Sequence, residues 1–146
     1  MQAIKPKILI VDDTPSIVKA IDTSLRKIGY ATLSAFDGED ALEQLRFNSD
    51  IGVVLSDWDM PRLDGMGLIR RVREEQPQRR VPVIIMTGRD LTFEDAQNAL
   101  YGGAYSLLPK PFKLEELQVI IDKAAGLHEQ PRADWLPRAQ PYFLPR

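Results

Sequence analysis

The sequence predicts an α/β fold in which one open parallel sheet of five strands carries helices on both faces. Strand-like apolar runs and amphipathic helical segments alternate five times between Lys7 and Ala125. The run from Ile51 to Ser56 is apolar on both faces, as expected for a central parallel strand that is buried on both sides. Strictly alternating strands and helices require right-handed crossovers, which place helices on both sides of the sheet and give three layers.

The first half of the chain contributes three strands and two helices. Asp13-Thr14-Pro15 predicts a helix start, because a capping side chain precedes a proline at an early helical position. Gly29 then predicts the end of that helix. The predicted elements are a strand at 7–11, a helix from 13–15 to 29, a strand at 31–36, a helix opening at 37–40 and a strand at 51–56.

The second half begins with a loop from Asp57 to Gly65, which Pro61 interrupts. Thr92-Phe93-Glu94-Asp95 resembles a capping box and predicts a helix that stops at Gly102-Gly103. The predicted elements are a helix around 68–72 that ends near 76–77, a strand at 81–86, a helix from 92 to 102, a strand that ends at 110–111 and a helix at 114–125.

Composition bounds the function. The 146 residues suit one domain with a short extension, and 44% of them are apolar, so a packed core is expected. The formal net charge of -2 argues against nucleic-acid binding driven by charge. The absence of cysteine and of a signal-like or membrane-spanning apolar stretch predicts a cytoplasmic protein that does not bind membranes.

The last 20 residues differ from the rest. We predict a domain at 1–126 and a proline-rich tail at 127–146 with no separate output domain. Four prolines exclude a long helix in the tail, and its apolar side chains, including Trp135, are costly to leave in water. Two interpretations remain open: a regulated element that packs on the domain or on a second subunit, and the stub of a linker.

Polar side chains follow the predicted strands where each strand ends. Asp12-Asp13 follow the first strand, Asp57 the third, Thr87 the fourth and Lys110 the fifth. Because ligands bind at the carboxyl ends of the strands in an open parallel sheet, we expect these side chains to converge. A helix cap would explain one of the two adjacent aspartates, but it would not explain Asp57 and Lys110.

This set suits phosphoryl chemistry that depends on a divalent cation. Carboxylate oxygens are the ligands that Mg²⁺ prefers, and three of them packed together need a cation. A carboxylate can also attack phosphorus and form an aspartyl phosphate. We assign Asp57 as the nucleophile and the Asp12-Asp13 pair to the metal, and we expect Lys110 and Thr87 to hold the phosphoryl oxygens.

Over about residues 5–126 the chain resembles a receiver domain of the two-component response-regulator family, of the single-domain, chemotaxis-regulator type. Each matching piece is weak alone, but together they follow the family's order along the chain. The pieces are Asp12-Asp13, Asp57, Met60-Pro61 with Asp64-Gly65, Thr87-Gly88 and Lys110-Pro111-Phe112.

The resemblance implies a flavodoxin-like fold with strand order 2-1-3-4-5. It implies that Asp57 accepts a phosphoryl group from a phosphohistidine on a sensor histidine kinase or a phosphotransfer protein. Magnesium, or manganese in its place, would be held by Asp12, Asp13, Asp57 and the backbone carbonyl of Asp59. Such a domain is a phosphoacceptor switch that catalyses only its own phosphorylation and dephosphorylation, rather than an enzyme with a separate substrate.

The resemblance also describes how such a domain signals. Thr87 would move toward the phosphoryl group, and the Lys110-Pro111 peptide would be cis. The fourth helix, fifth strand and fifth helix would present the face that binds a downstream protein, and a homodimer is a further expectation. The family's usual aromatic switch residue is replaced by Leu107, and Tyr105, which has the same parity, is expected on the same side of the strand.

Two charge patterns each allow two interpretations. Asp59 and Arg89 lie two residues beyond Asp57 and Thr87, at positions that in the family flank the path of water to the phosphoryl group. They are either a pair that slows water or two independent exposed charges. Five arginines around the third helix, at 70, 71, 73, 79 and 80, predict a solvated basic face, with a partner-binding patch as the alternative.

An alternative function is a phosphatase, because Asp57-Trp58-Asp59 resembles the Asp-x-Asp motif of haloacid-dehalogenase-type enzymes. That motif belongs after the first strand of a larger fold, and here it follows the third strand. Asp12 and Asp13 would also have no role in such an enzyme.

Overall fold

A computed structural model describes residues 5–126 of the chain. Five strands and five helices alternate throughout. The elements are β1 (Lys7–Val11), α1 (Pro15–Lys27), β2 (Thr32–Ala35), α2 (Gly38–Phe47), β3 (Ile51–Asp57), α3 (Gly65–Glu75), β4 (Val83–Thr87), α4 (Phe93–Tyr101), β5 (Ser106–Pro109) and α5 (Leu114–Ala124).

The strands form one parallel sheet in the order β2-β1-β3-β4-β5, as the sequence predicts. Two apolar clusters of buried residues lie on its two faces. One contains Leu9, Val54 and Ile85, and the other contains Ile10 and Leu55. The sheet is therefore the middle of three layers. The loops at the carboxyl ends of its strands are where ligands bind in such folds.

The helix starts follow the capping signals in the sequence. The Asp37 side chain accepts a hydrogen bond from the N–H of Asp40, and Thr92 and Asp95 form the predicted capping box. At α1 the prediction of a capping side chain is wrong, because the N-cap residue Thr14 makes no side-chain cap bond. The N–H of Thr14 instead donates to Asp12 Oδ1 at 2.9 Å, so the end of β1 fixes the start of α1.

The expectation that Tyr105 and Leu107 share one side of the sheet is wrong. Leu107 lies within β5 and packs with the cluster that contains Ala96 and Ala99 of α4. Tyr105 precedes the strand, which begins at Ser106, and its side chain joins the opposite cluster. Side-chain parity holds only within a regular strand. Tyr105 therefore does not take the place of an aromatic at Leu107.

The β3–α3 loop is tied to the start of α2. Arg62 adopts a φ of 67°, which is uncommon for a residue with a side chain, and its guanidinium pairs with Asp37. The loop approaches so closely that a Cβ added at Gly38 would lie 2.5 Å from the carbonyl oxygen of Leu63. These contacts hold the loop that follows Asp57. Within 5–126, no helix is long and apolar enough to cross a membrane.

Candidate functional site

The five side chains predicted to converge lie at the carboxyl ends of the strands. Asp57 is the last residue of β3, and Thr87 is the last residue of β4. Asp12-Asp13 follow β1 directly, and Lys110 follows β5. Because β1, β3, β4 and β5 are consecutive neighbours in the sheet, their ends bring these residues to one edge.

Three carboxylates form the floor of the site. Asp12, Asp13 and Asp57 each offer an oxygen, and these oxygens lie within 4.8 Å of one another. Asp12 is buried and Asp13 is exposed. Because the N–H of Thr14 occupies Asp12 Oδ1, the orientation of that carboxylate is fixed. A compact set of hard oxygen donors of mixed burial matches what Mg²⁺ takes, while leaving room for water and phosphate oxygens.

Lys110 bridges two of these carboxylates. Its Nζ lies 3.2 Å from Asp12 Oδ2 and 3.2 Å from Asp57 Oδ1. Burial acts to lower the pKa of Lys110, but the attraction of Asp12 and Asp57 outweighs it and raises that pKa above its usual value. The lysine therefore stays charged at neutral pH, beside the oxygen atoms that a phosphoryl group would approach.

The environment of Asp57 disfavours its ionised form. Its carboxylate is mostly buried, with 15% of the side chain exposed. Burial raises the pKa of Asp57 above its ordinary value, and repulsion from Asp12 adds to this, although Lys110 acts in the opposite direction. A bound cation would supply the positive charge that keeps Asp57 ionised and ready to react.

Thr87 supplies a hydroxyl at the same edge of the sheet as the carboxylates. It is 2% exposed, and its Oγ1 accepts a hydrogen bond from the backbone N–H of Arg89 at 3.2 Å. This contact uses a lone pair of the oxygen and leaves the O–H hydrogen available for donation. Thr87 is therefore placed to donate to an anionic oxygen at the end of β4.

Asp59 and Arg89 form an ion pair above the site. Arg89 Nη2 lies 2.6 Å from Asp59 Oδ1, and its Nε lies 3.3 Å from Oδ2, which makes the contact bidentate. The guanidinium also stacks over the ring of Trp58 at 4.9 Å. The interpretation of two independent charges is therefore wrong. The three side chains form one layer beside the acceptor, which we call the Arg89 layer.

Sequence reasoning missed two supporting contacts. Ser56 is fully buried, and its hydroxyl donates to the carbonyl oxygen of Asp57 at 2.9 Å. Arg62 fixes the following loop through Asp37 of a different element. A polar residue in an otherwise apolar strand is a signal that would have indicated Ser56. No local pattern indicates Arg62, because its partner is 25 residues away.

An open parallel sheet that gathers an aspartate cluster, a lysine and a threonine at its carboxyl edge defines the class of flavodoxin-like signalling domains. Comparison of the sequence with known families makes the assignment specific. The family described as "Response regulator receiver domain" matches residues 8–122. The chain belongs to this family.

Relatives and solved structures agree with this assignment. The chain is 31% identical over 124 residues to the chemotaxis protein CheY1 of Helicobacter pylori, covering 84% of this chain and 99% of that protein. The receiver domain of the Francisella response regulator 1452 superposes with a TM-score of 0.76 at 34% identity, covering 84% of this chain and 98% of that one. The receiver domain of a sensor histidine kinase from Pseudomonas aeruginosa superposes with a TM-score of 0.75 at 34% identity, covering 84% and 99%, and holds a magnesium ion in its active-site cleft.

Membership establishes the general function. The chain is a receiver domain of two-component signalling, a class that is phosphorylated on aspartate by kinases and that interacts with histidine kinases and downstream targets. Receiver domains bind Mg²⁺ at an acidic aspartate cluster. The phosphatase alternative has no support. The second carboxylate of its motif, Asp59, is 64% exposed and paired with Arg89.

Proposed function

We propose that Asp57 is the phosphoacceptor of this chain, with Thr87 and Lys110 as the side chains that hold the phosphoryl group. The position of Lys110 Nζ, 3.2 Å from carboxylate oxygens of both Asp12 and Asp57, carries this proposal. A carboxylate oxygen of Asp57 attacks phosphorus, the bond from phosphorus to the donor breaks, and the donor leaves with that electron pair. Lys110 and Thr87 stabilise charge on two phosphoryl oxygens during the transfer.

Incubation with acetyl phosphate and Mg²⁺ tests the acceptor. Intact-mass measurement is expected to show one added phosphoryl group on the wild type and none on Asp57→Ala. Asp90→Ala is the matched control, since Asp90 is an exposed carboxylate close to Thr87 in sequence, and it is expected to be labelled like the wild type. Equal labelling of Asp57→Ala would overturn the assignment, and continuous turnover without labelling would indicate a phosphatase.

The metal ligands are a second proposal, which rests on the three clustered carboxylates and, for the Asp59 carbonyl, on the family resemblance. We assign the side chains of Asp12, Asp13 and Asp57 and the backbone carbonyl of Asp59 to a magnesium ion, or to manganese in its place. The oxygen-only donor set supports this choice. When bound, the ion neutralises charge on the transferring phosphoryl group. The protein's own part is to hold Asp12 through the N–H of Thr14 and to hold the β3–α3 loop through Arg62.

The phosphodonor protein would dock beside the acceptor. A groove of about 580 Å³ lies between α1 and the segment after β5, and Lys110 is part of its wall. Ile17, Ile21 and Phe112 make most of this surface apolar. A phosphohistidine must come within reach of Asp57, so the apolar surface that borders Lys110 suits a kinase or a phosphotransfer protein.

Ala20→Arg is expected to block phosphotransfer from a protein donor and to leave labelling by acetyl phosphate unchanged. Ala20 is exposed on α1 and lines the groove, so an arginine fits without disturbing the core but covers the apolar surface. Thr23→Arg adds the same charge at an exposed α1 position outside the groove. Each variant is mixed with a phosphorylated donor that labels the wild type, and transfer is followed by mass. Equal transfer to Ala20→Arg and Thr23→Arg would place donor docking elsewhere.

The output surface would be formed by α4, β5 and α5. Large apolar side chains stand exposed there, which suits a switched protein interface. Tyr101 is 74% exposed, Phe93 is 43% exposed, and Val119 on α5 is 51% exposed. We propose that a downstream protein, or a second copy of this chain in a homodimer, binds this face when Asp57 is phosphorylated. That the chain binds neither nucleic acid nor membranes stays a prediction from the sequence.

Arg89→Ala is expected to speed loss of the phosphoryl group by a few-fold. The Arg89 layer covers one side of the acceptor, so removing the guanidinium opens a path for water. An exposed ion pair contributes only about 0–1 kcal/mol, so the fold should be unaffected. Labelled protein is separated from donor, and its decay is followed by mass, with Arg70→Ala as an exposed control on α3. An unchanged decay rate in Arg89→Ala would show that the Arg89 layer does not slow the attack of water.

The remaining expectations stay predictions. The proposed receiver domain spans 1–126, and the tail at 127–146 lies outside the described residues. The predicted absence of an output domain, the cytoplasmic location and the absence of a separate enzymatic activity are untested. The leucine at 107 supports a further proposal, that Thr87 acts without the family's aromatic partner, since Leu107 is 1% exposed and packs in the core.

A further inference from the structure

A second concave region lies at the edge of the sheet opposite the acceptor. It has a volume of about 660 Å³ and is lined by the segments before β4 and β5 and by the last turns of α3 and α5. Small-molecule sites typically occupy about 300–1,000 Å³. The receiver function described above assigns no role to this region, which we call the basal cavity.

The basal cavity is lined by positive charge. Among the described residues that line it, four are arginine or lysine and none is aspartate or glutamate. Arg79 donates to the carbonyl oxygens of Asn48 at 2.7 Å and Ile51 at 3.0 Å, and Arg73 donates to the carbonyl oxygen of Val81 at 3.0 Å. Carbonyl groups hold these guanidiniums in place and carry no net charge themselves, while Asp50 attracts Arg79 from outside the cavity lining.

The other two cations have no such contacts. The side chains of Arg80 and Lys123 make no hydrogen bond or ion pair with any other residue in 5–126. Arg80 is exposed and Lys123 is half-buried. Lys123 lies in the last turn of α5, where a cation compensates the helix dipole. That explanation does not extend to Arg80, which lies in the connection between α3 and β4.

The cavity also has an apolar wall. Tyr105 lines it and is 9% exposed, and Leu100 and Pro82 lie beside it. A flat or apolar group placed against these residues would be removed from water. Together the two surfaces fit a ligand with an anionic end and an apolar or aromatic body. Tyr105 therefore lies in the wall of this cavity, at the opposite end of the sheet from Thr87.

We propose that the basal cavity binds an organic phosphate of nucleotide size. The phosphate lies between Arg80 and Lys123, where charge-assisted hydrogen bonds are available from both side chains. The planar or apolar body lies against Tyr105 and Leu100. Phosphate is favoured over a single carboxylate because four cations surround one opening, and a doubly charged group uses more of them.

Calorimetric titration of the full chain tests this proposal, with AMP, ATP and inorganic phosphate as separate probes. The buffer contains EDTA, because the three acceptor-site carboxylates without a cation repel phosphate. AMP or ATP is expected to bind, and inorganic phosphate more weakly, since it has no body to contact Tyr105. In amide NMR spectra, shifts are expected at Gly103 and Gly126, which line the cavity, and none at Gly88 beside the acceptor.

Two variants decide which residues are responsible. Arg80→Ala with Lys123→Ala is expected to weaken nucleotide binding about tenfold or more, as for the loss of charged hydrogen bonds. Arg70→Ala, which removes an exposed arginine of α3 outside the cavity, is expected to bind like the wild type. Labelling by acetyl phosphate in Mg²⁺ should be unchanged in both, so failure here is distinguishable from failure of the acceptor site. No binding of either nucleotide, or equal weakening in Arg70→Ala, would overturn the proposal.

Discussion

Replacing Lys110 with alanine is expected to lower the free energy of unfolding of the metal-free protein by about 3 kcal/mol. Lys110 Nζ is the cation that contacts both Asp12 and Asp57, at 3.2 Å each. The Asp12 side chain is 1% exposed, so water solvates it less well than it solvates a carboxylate at the surface. The variant therefore leaves two neighbouring carboxylates with neither a counter-charge nor full solvation.

The same substitution is expected to slow phosphorylation of Asp57 by about 10²–10³-fold, the usual effect of removing one preorganised donor from a developing anion. The two effects have different responses to Mg²⁺. A bound cation supplies the missing charge to the carboxylates, so the stability loss should largely disappear in Mg²⁺. It does not replace the hydrogen bond to a phosphoryl oxygen, so the rate should stay low.

Urea unfolding in EDTA and in Mg²⁺ measures the first effect, and the initial rate of labelling by acetyl phosphate measures the second. Lys19→Ala is the matched control, since Lys19 is exposed on α1 and its ammonium group pairs with neither Asp12 nor Asp57. It should change neither quantity. A Lys110→Ala protein as stable as Lys19→Ala in EDTA would show that the bridge between Asp12 and Asp57 does not stabilise the fold.

Much of this arrangement is predictable because it depends on strand order along the chain. Once a run such as Ile51–Asp57 is identified as a parallel strand, its last residue must lie at the carboxyl edge. Asp57, Thr87 and Lys110 therefore come together by topology, without knowledge of any single contact. The helix start at 37–40 and the capping box at Thr92 are equally local predictions, and the structure confirms both.

The features that escaped prediction depend on contacts between distant segments or on irregular backbone. Tyr105 lies on the unexpected face because it precedes the first residue of the strand, and side chains alternate between the two faces only within a regular strand. The ion pair of Arg62 with Asp37 joins the β3–α3 loop to the start of α2, and its arginine adopts a positive φ that is uncommon for a residue with a side chain. The sequence shows that five arginines are close together around α3, but it does not show what each of them contacts. In the structure the Arg79 side chain donates to backbone carbonyls, and the Arg80 side chain has no partner among the described residues.

Asp57→Asn is expected to raise the stability of the metal-free protein at neutral pH and to abolish its stabilisation by Mg²⁺. Burial, with repulsion from Asp12, raises the pKa of Asp57 in the folded state above the ordinary 3.8. The favourable contribution of this group is therefore fully present below the ordinary pKa and is lost as pH rises through the folded-state pKa. Asparagine resembles the neutral form, so the variant keeps that contribution at higher pH.

Magnesium reverses the effect of Asp57 ionisation on stability, because the cation binds the ionised carboxylate. In Mg²⁺ the wild type should gain stability as Asp57 ionises, by about 2.7 kcal/mol when Mg²⁺ is present at about 100 times its dissociation constant. Asp57→Asn should show almost none of this gain. Asp59→Asn should retain it, because the proposed ligand at that position is the backbone carbonyl, while the carboxylate pairs with Arg89.

The measurement is the difference in unfolding free energy between the wild type and Asp57→Asn from pH 3 to pH 8, in EDTA and in Mg²⁺. Other carboxylates also make stability depend on pH, such as Asp22, whose pKa is lowered by its hydrogen bond with Thr32. Their contributions are the same in both proteins and cancel in the difference. In EDTA the unfolding free energy of the wild type should fall relative to that of the variant as pH rises. In Mg²⁺ it should increase relative to that of the variant. A difference that does not depend on the metal would mean that Asp57 is not a ligand, and the nucleophile would then act outside the Mg²⁺ site.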